Sequence, residues 1–278
     1  MGAGAVVGAG LRIWAKNWLP WFLVTLAMTG VIAVIIAAVD PWTGTFGADY
    51  WFGEQPFSRP DPNALAVILS LVTALFLGPW AIVVLTRSAL LATFSDQPTG
   101  RALIGRTIRG VHSILWIFAL LSICLAPVII LLFAIATAIG SDAAGGIIAF
   151  IPLVLLLWAG PRLATLTHVF VGEDARGTHA ITGAWRLSRG AWGPSVGTLL
   201  LFLLVGIAIS ILPSIIVGAA FRDPVIGDAV PRAIIQAFLN AVITPMSTAV
   251  IAALYLELRA RKGVLDQQAL RANLARFD

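Results

Sequence analysis

Arg186-Leu-Ser-Arg189-Gly-Ala-Trp192-Gly-Pro194 runs directly into SVGTLLLFLLVGIAISILPSIIVGAA at positions 195–220, and this junction decides how the chain is read. The second part carries no charge over 26 residues, more than the roughly 20 apolar residues needed to cross a hydrocarbon core about 30 Å thick. In lipid such a stretch has to be an α-helix, because a single helix satisfies its own backbone hydrogen bonds. The basic, tryptophan-bearing approach has the chemistry of a cytoplasmic membrane boundary, where arginine stays inside and indole rings sit among the headgroups.

Working outward, five further apolar stretches are long enough to cross: 18–39, 64–86, 113–139, 146–171 and 234–256. The first exceeds the 7–15 apolar residues of a signal-peptide core and reads as a retained helix. The fourth is interrupted by Pro161 and Arg162. Whole-chain composition agrees: 59% of the 278 residues are apolar and 11% charged, against about 45–50% and about 25% in soluble domains. The mean hydropathy is +0.96. A charged shell for a soluble globule is missing, which excludes a soluble enzyme, a disordered tail and a nucleic-acid module despite the net charge of +5. The single cysteine, Cys124, lies in an apolar run and reads as a small buried hydrophobe, with no intramolecular disulfide open to it.

The positions of the charges give the threading. Segments 1–17, 87–112, 172–194 and 257–278, with Arg162 assigned to the third, hold 2, 4, 4 and 5 Lys+Arg, 15 of the 18. Segments 40–63, 140–145 and 221–233 hold 1, 0 and 2. With the acidic residues counted, the two groups net +9 and −4. Basic short loops stay cytoplasmic, so both termini are expected inside. Trp14, Trp18, Trp21, Trp185, Trp192 and Tyr255 fall at the inner boundary and Trp42, Tyr50 and Trp51 at the outer one, as interfacial aromatics do.

The pattern repeats. Arg12, Trp18 and Pro20 recur at the spacing of Arg186, Trp192 and Pro194, and Arg106/Arg109 repeats the Arg186/Arg189 pair. Each lies before an odd-numbered stretch, and each even-numbered stretch carries a proline: Pro79, Pro161 and Pro245. The expected unit is a basic inner segment, an outgoing helix, an outer loop and a returning helix kinked by proline, which removes a helix hydrogen bond. Three such hairpins, all running the same way, make six spans.

From Ala180 onward the residues resemble a known family. Ala184-Trp185-Arg186-Leu187-Ser188-Arg189-Gly190, then Ile243-Thr244-Pro245-Met246, then Ala253-Leu254-Tyr255-Leu256-Glu257-Leu258-Arg259-Ala260-Arg261-Lys262-Gly263-Val264-Leu265-Asp266 are similar to the membrane domain of glycerophosphoryl diester phosphodiesterases and to free-standing actinobacterial membrane proteins like it. The family shows W-R-L-x-R-G, a T-P kink and a terminal L-L-Y-x-D-L-R-x-R-x-E-G-L-D. Here Glu257 stands for the Asp and Lys262-Gly263-Val264 breaks the Glu-Gly order. The resemblance covers the last hundred residues or so; the remainder matches in hydropathy and layout. It implies topology, since the catalytic barrel of those enzymes has no counterpart in this sequence.

No zincin, serine-hydrolase or Walker pattern occurs, and His112, His168 and His179 are too dispersed for an expected metal site. The six stretches contain no acidic residue inside, which speaks against coupled transport. Asn240, Thr244, Ser247 and Thr248 share one helix face around Pro245, as cover for the kink and interhelical bonding or as the lining of a polar pathway. Arg162 lies about 22 Å across the core when counted from Ile147, near the inner surface, as a snorkelling arginine. Alternatively it joins Arg87, Arg106, Arg109, Arg186 and Arg189 in contacts to anionic lipid headgroups. Leu265, Ala269, Leu270, Leu274 and Phe277 lie near one face of a short interfacial helix at 264–277.

The sequence thus predicts an all-α polytopic protein of the bacterial inner membrane. Residues 1–278 form one six-helix domain of three proline-kinked hairpins, with short basic interfacial helices on the cytoplasmic side and both termini cytoplasmic. The expected role is non-catalytic: a scaffold or subunit meeting membrane lipids or other membrane subunits through its basic rim, with no cofactor. A permease component for a lipid or other amphiphile is the alternative, and an intramembrane enzyme the third reading.

Overall fold

The computed structural model describes residues 2–39, 64–94, 115–116, 158–220 and 229–275. Among the described residues the chain is helical with short turns and has no strand. The helices are α1 (Ala3–Val39), α2 (Ala64–Ala92), α3 (Leu166–Glu173), α4 (Thr178–Ser188), α5 (Trp192–Ala220), α6 (Ala229–Arg261) and α7 (Gln267–Ala275). α5 and α6 contain the stretches Trp192–Ile211 and Ala237–Arg261, each long and apolar enough to cross a membrane; Gly78–Ala92 of α2 is a shorter apolar run. The expected spans 113–139 and most of 146–171 lie outside the described residues.

α1 begins earlier than the apolar run at 18–39 and bends at Asn17, where φ/ψ is −120°/15°. The cause is local. Pro20 has no N–H to donate, and the Asn17 side-chain amide donates to the Ile13 carbonyl at 3.0 Å, the acceptor that a straight helix pairs with the Asn17 backbone. Pro79 and Pro245 lie inside α2 and α6. Around Pro161 a helical stretch from 158 to 163 ends in a turn at 164–165 before α3 restarts at Leu166.

α1 packs chiefly along α6, and the two run antiparallel. Gly10 permits the closest approach: a Cβ there would stand 2.5 Å from Val250 Cα, so only glycine lets the two backbones cross. Further along, Phe22 meets Phe238 edge-on at 5.3 Å, and the Thr29 hydroxyl donates to the Ala237 carbonyl at 3.4 Å. α2 joins the pair through the Trp21 indole N–H, which donates to Ser88 Oγ at 2.6 Å.

Among the described residues a buried hydrophobic cluster lies at one end. There the last turns of α2, all of α3, the inner face of α4 and the end of α6 converge on Leu90, Phe170, Ala184, Leu254, Tyr255 and Leu258. α7 closes this end, with Leu270 and Leu274 fully buried. The helix expected at the membrane surface therefore forms, but its apolar face turns into the protein. That corrects the interfacial reading of the tail, and the reason is visible in its socket: Gly172 leaves space for the Leu270 side chain, whose Cδ1 would lie 2.9 Å from a Cβ on that glycine.

Candidate functional site

The converging end also gathers most of the described cations. α7 is held there from both termini. At its start Asp266 Oδ1 accepts from the backbone N–H of Gln268 and Ala269 at 2.9 and 3.0 Å, capping N–H groups that have no partner within the helix. At its finish Arg87 Nη2 donates to the Leu274 carbonyl at 3.4 Å, placing a cation at the negative end of the helix dipole. The Arg271 guanidinium lies 4.9 Å over the Phe94 ring and Asn273 Nδ2 donates to the Gly172 carbonyl at 3.1 Å.

Arg87 is thus not part of an open rim. It is 0% exposed, so the expectation that it touches lipid headgroups is corrected: α7 covers it. Arg106 and Arg109 lie outside the described residues. Arg186 and Arg189 are exposed on the last turn and C-cap of α4. Lys262 Nζ donates to the Arg189 carbonyl at 2.8 Å, which brings the end of α6 against the end of α4. Gly263 makes this possible at φ +66°, a left-handed turn that ends α6.

Arg162 stands apart from that group. Its guanidinium carbon is 4.6 Å from the centroid of Trp158 and 4.4 Å from that of Trp185. The two indoles meet edge-on, 5.1 Å apart, and both belong to the converging end through α4 and the helical stretch before α3.

A second cluster was not singled out from sequence. Tyr255 Oη donates to Glu173 Oε1 at 3.2 Å, and Arg259 Nη1 donates to the same phenol oxygen at 2.9 Å. The Arg259 and Glu173 charges are 3.5 Å apart. Arg259 also holds the turn after α6, donating from Nε and Nη2 to the Val264 carbonyl at 3.2 and 2.7 Å. Glu257 pairs with Arg261 at 2.8 Å. The polar residues of the Tyr-x-Glu-x-Arg-x-Arg run therefore tie α6 to α3 and shape the turn into α7. The quoted motif carries the signal, whereas Glu173, its partner 82 residues upstream of Tyr255, reads in sequence only as a loop charge.

The proposed polar face of α6 is largely spent within the helix. Ser247 and Thr248 hydroxyls donate to the Thr244 carbonyl at 2.7 and 2.9 Å, the back-bonding typical of hydroxyls in helices. Asn240 and Thr244 are half-buried. The Thr248 carbonyl meets His168 Nε2 at 3.2 Å. Since a carbonyl only accepts, Nε2 carries the proton, and Nδ1 accepts from Thr167 Oγ1 at 3.2 Å. Neither ring nitrogen of this buried histidine is left for a metal. Among the described residues no three His, Cys, Asp or Glu side chains are grouped as metal ligands. The chain matches no protein-family model, no curated protein and no solved structure.

Proposed function

We propose that the chain is a six-span protein of the bacterial inner membrane, with spans at 18–39, 64–86, 113–139, 146–171, 195–220 and 234–256 in three proline-kinked hairpins and both termini cytoplasmic. In this reading it is a non-catalytic scaffold or subunit that holds anionic lipid through its cytoplasmic rim. The likeness of its last hundred residues to the membrane domain of glycerophosphoryl diester phosphodiesterases belongs to the same proposal.

One observation carries it. Lys262 and Arg189 meet at the junction of α6 and α4, so that exposed Arg186, Arg189 and Lys262 share the rim with half-exposed Trp192. From that rim α5 departs as a charge-free helix whose most exposed large side chains, Leu200, Leu203, Leu204, Ile207 and Ile211, follow helical spacing along one face. Cations and indole rings beside a broad apolar stripe are the arrangement of a headgroup layer above acyl chains. The hydroxyls of Ser247 and Thr248, bonded within α6, favour the scaffold over the permease alternative.

The test is lipid selectivity in nanodiscs of mixed phosphatidylglycerol and phosphatidylcholine. Each basic residue at an anionic surface contributes about 1 kcal/mol, so the combined Arg186→Ala, Arg189→Ala, Lys262→Ala variant is expected to weaken phosphatidylglycerol enrichment roughly a hundredfold. Unchanged enrichment overturns the lipid-holding role. Cysteines introduced in 40–63 and 172–194, in a Cys124→Ser background, are expected to label from opposite sides; labelling from one side refutes the threading.

A further inference from the structure

We infer that Arg162, seated in the corner formed by Trp158 and Trp185, is a discrete binding site for one phosphate diester, that of an anionic glycerophospholipid. The inference rests on the membrane reading above and narrows it to a ligand and a residue. Both indoles lie within cation–π distance of the guanidinium, at 4.6 and 4.4 Å. Because the two indoles meet at 70° with centroids 5.1 Å apart, both lie on one side of the guanidinium, and the N–H donors on its other side point away from the rings.

Among the described residues no carboxylate, carbonyl or hydroxyl accepts from any of those donors, and the two indoles are the partners of the guanidinium. An arginine buried for packing alone would have its edge satisfied by the protein. This one is half-buried beside Trp158, which is 48% exposed, so the edge and one indole remain accessible together. The combination selects the ligand. A planar fork accepts two oxygens of a tetrahedral phosphate bidentately, and the adjoining indole offers apolar surface to a glycerol backbone and upper acyl carbons. The aromatic corner holds the side chain beforehand, which lowers the ordering cost of binding. A bare phosphate ion would use the fork and leave the indole surface idle.

Native mass spectrometry of the full chain released from nanodiscs of mixed phosphatidylglycerol and phosphatidylcholine tests this. The wild type is expected to retain one phosphatidylglycerol after the others are stripped. Arg162→Ala is expected to lower that occupancy about tenfold, the loss of one charge-assisted bidentate contact. Arg162→Lys keeps the charge but not the fork and is expected to fall almost as far. Trp185→Leu keeps the guanidinium but removes one wall of its corner and is expected to lose about threefold, which gives a reading should Arg162→Ala lose its helical circular dichroism. Retention unchanged in Arg162→Lys and Trp185→Leu overturns the inference. Displacement of the retained lipid by inorganic phosphate overturns the lipid assignment in favour of the free ion. If the Arg186, Arg189 and Lys262 replacements reduce bulk enrichment while the Arg162 variants change nothing, the rim stands and this site falls; if neither set has an effect, both fall.

Discussion

α5 and α6 are both apolar and long enough to cross a membrane, yet they sit in the molecule differently. In the most apolar 18-residue stretch of each, 11% of the residues are buried in α5 and 56% in α6. The more apolar helix is the less buried one. A soluble core would reverse this, because water drives the greasiest helix inward. On the membrane reading proposed above that drive is absent between helices, and association follows close backbone approach and polar contacts. α6 supplies both: Val250 against Gly10, and Tyr255 and Arg259 against Glu173. α5 approaches α1 less closely, a Cβ at Gly197 standing 3.4 Å from Ala3 Cβ, and otherwise shows exposed leucine and isoleucine.

The contrast is broken or sharpened by substitutions made in pairs. Leu258→Ala, at a buried position on α6, is expected to cost about 2–5 kcal/mol through the cavity it leaves, whereas Leu204→Ala, at 63% exposure on α5, is expected to change stability by less than about 0.5 kcal/mol. Denaturation midpoints in mild detergent read both, and equal losses would abolish the distinction. Next comes glycine. Gly10→Ala drives a methyl into the Val250 backbone and should cost about 1–3 kcal/mol. Gly206→Ala in α5, where nothing lies within 4 Å, should be neutral or stabilising by up to about 1 kcal/mol. Tyr255→Phe removes the hydroxyl shared by Glu173 and Arg259, with an expected cost of about 1–3 kcal/mol. A double-mutant cycle with Glu173→Gln should show strong coupling, and additivity would mean that the network carries no energy of its own. The smallest effect belongs to Ser247→Ala. Its hydroxyl bonds its own helix, so a change within about 0.5 kcal/mol is expected, measured as stability in the same detergent series.

Hydropathy marked the helices well where length alone decides: the apolar runs at 18–39, 64–86, 195–220 and 234–256 each fall within a described helix. It could not register what comes back from far along the chain. Arg87 looked like a rim cation because windowed hydropathy ends α2 there, while its cover, Leu274, lies 187 residues downstream. For α7 the periodicity of Leu270 and Leu274 identified the apolar face; amphipathicity states that a face avoids water, not whether lipid or protein receives it. Arg162 was legible as an oddity, a charge inside an apolar run. That Trp158 and Trp185 hold it follows from the fold, since Trp158 is four residues before it on one helical stretch and Trp185 arrives from α4. Tyr255 and Arg259 stood out in a recurring motif, but their function as a tie required Glu173, 82 residues away from Tyr255.

The sealing of Arg87 by α7 also sets a clock. At ordinary synthesis rates of about 5–20 residues per second, the 187 residues added after Arg87 to reach Leu274 take roughly 10–40 s to emerge. Throughout that interval the end of α2 presents a cation whose final neighbour does not yet exist. A nascent chain halted before residue 267 therefore lacks the Leu274 carbonyl that accepts from Arg87 and leaves the leucine socket beside Gly172 unfilled. Both are completed by the same late segment, so one docking event finishes the charge contact and the core together.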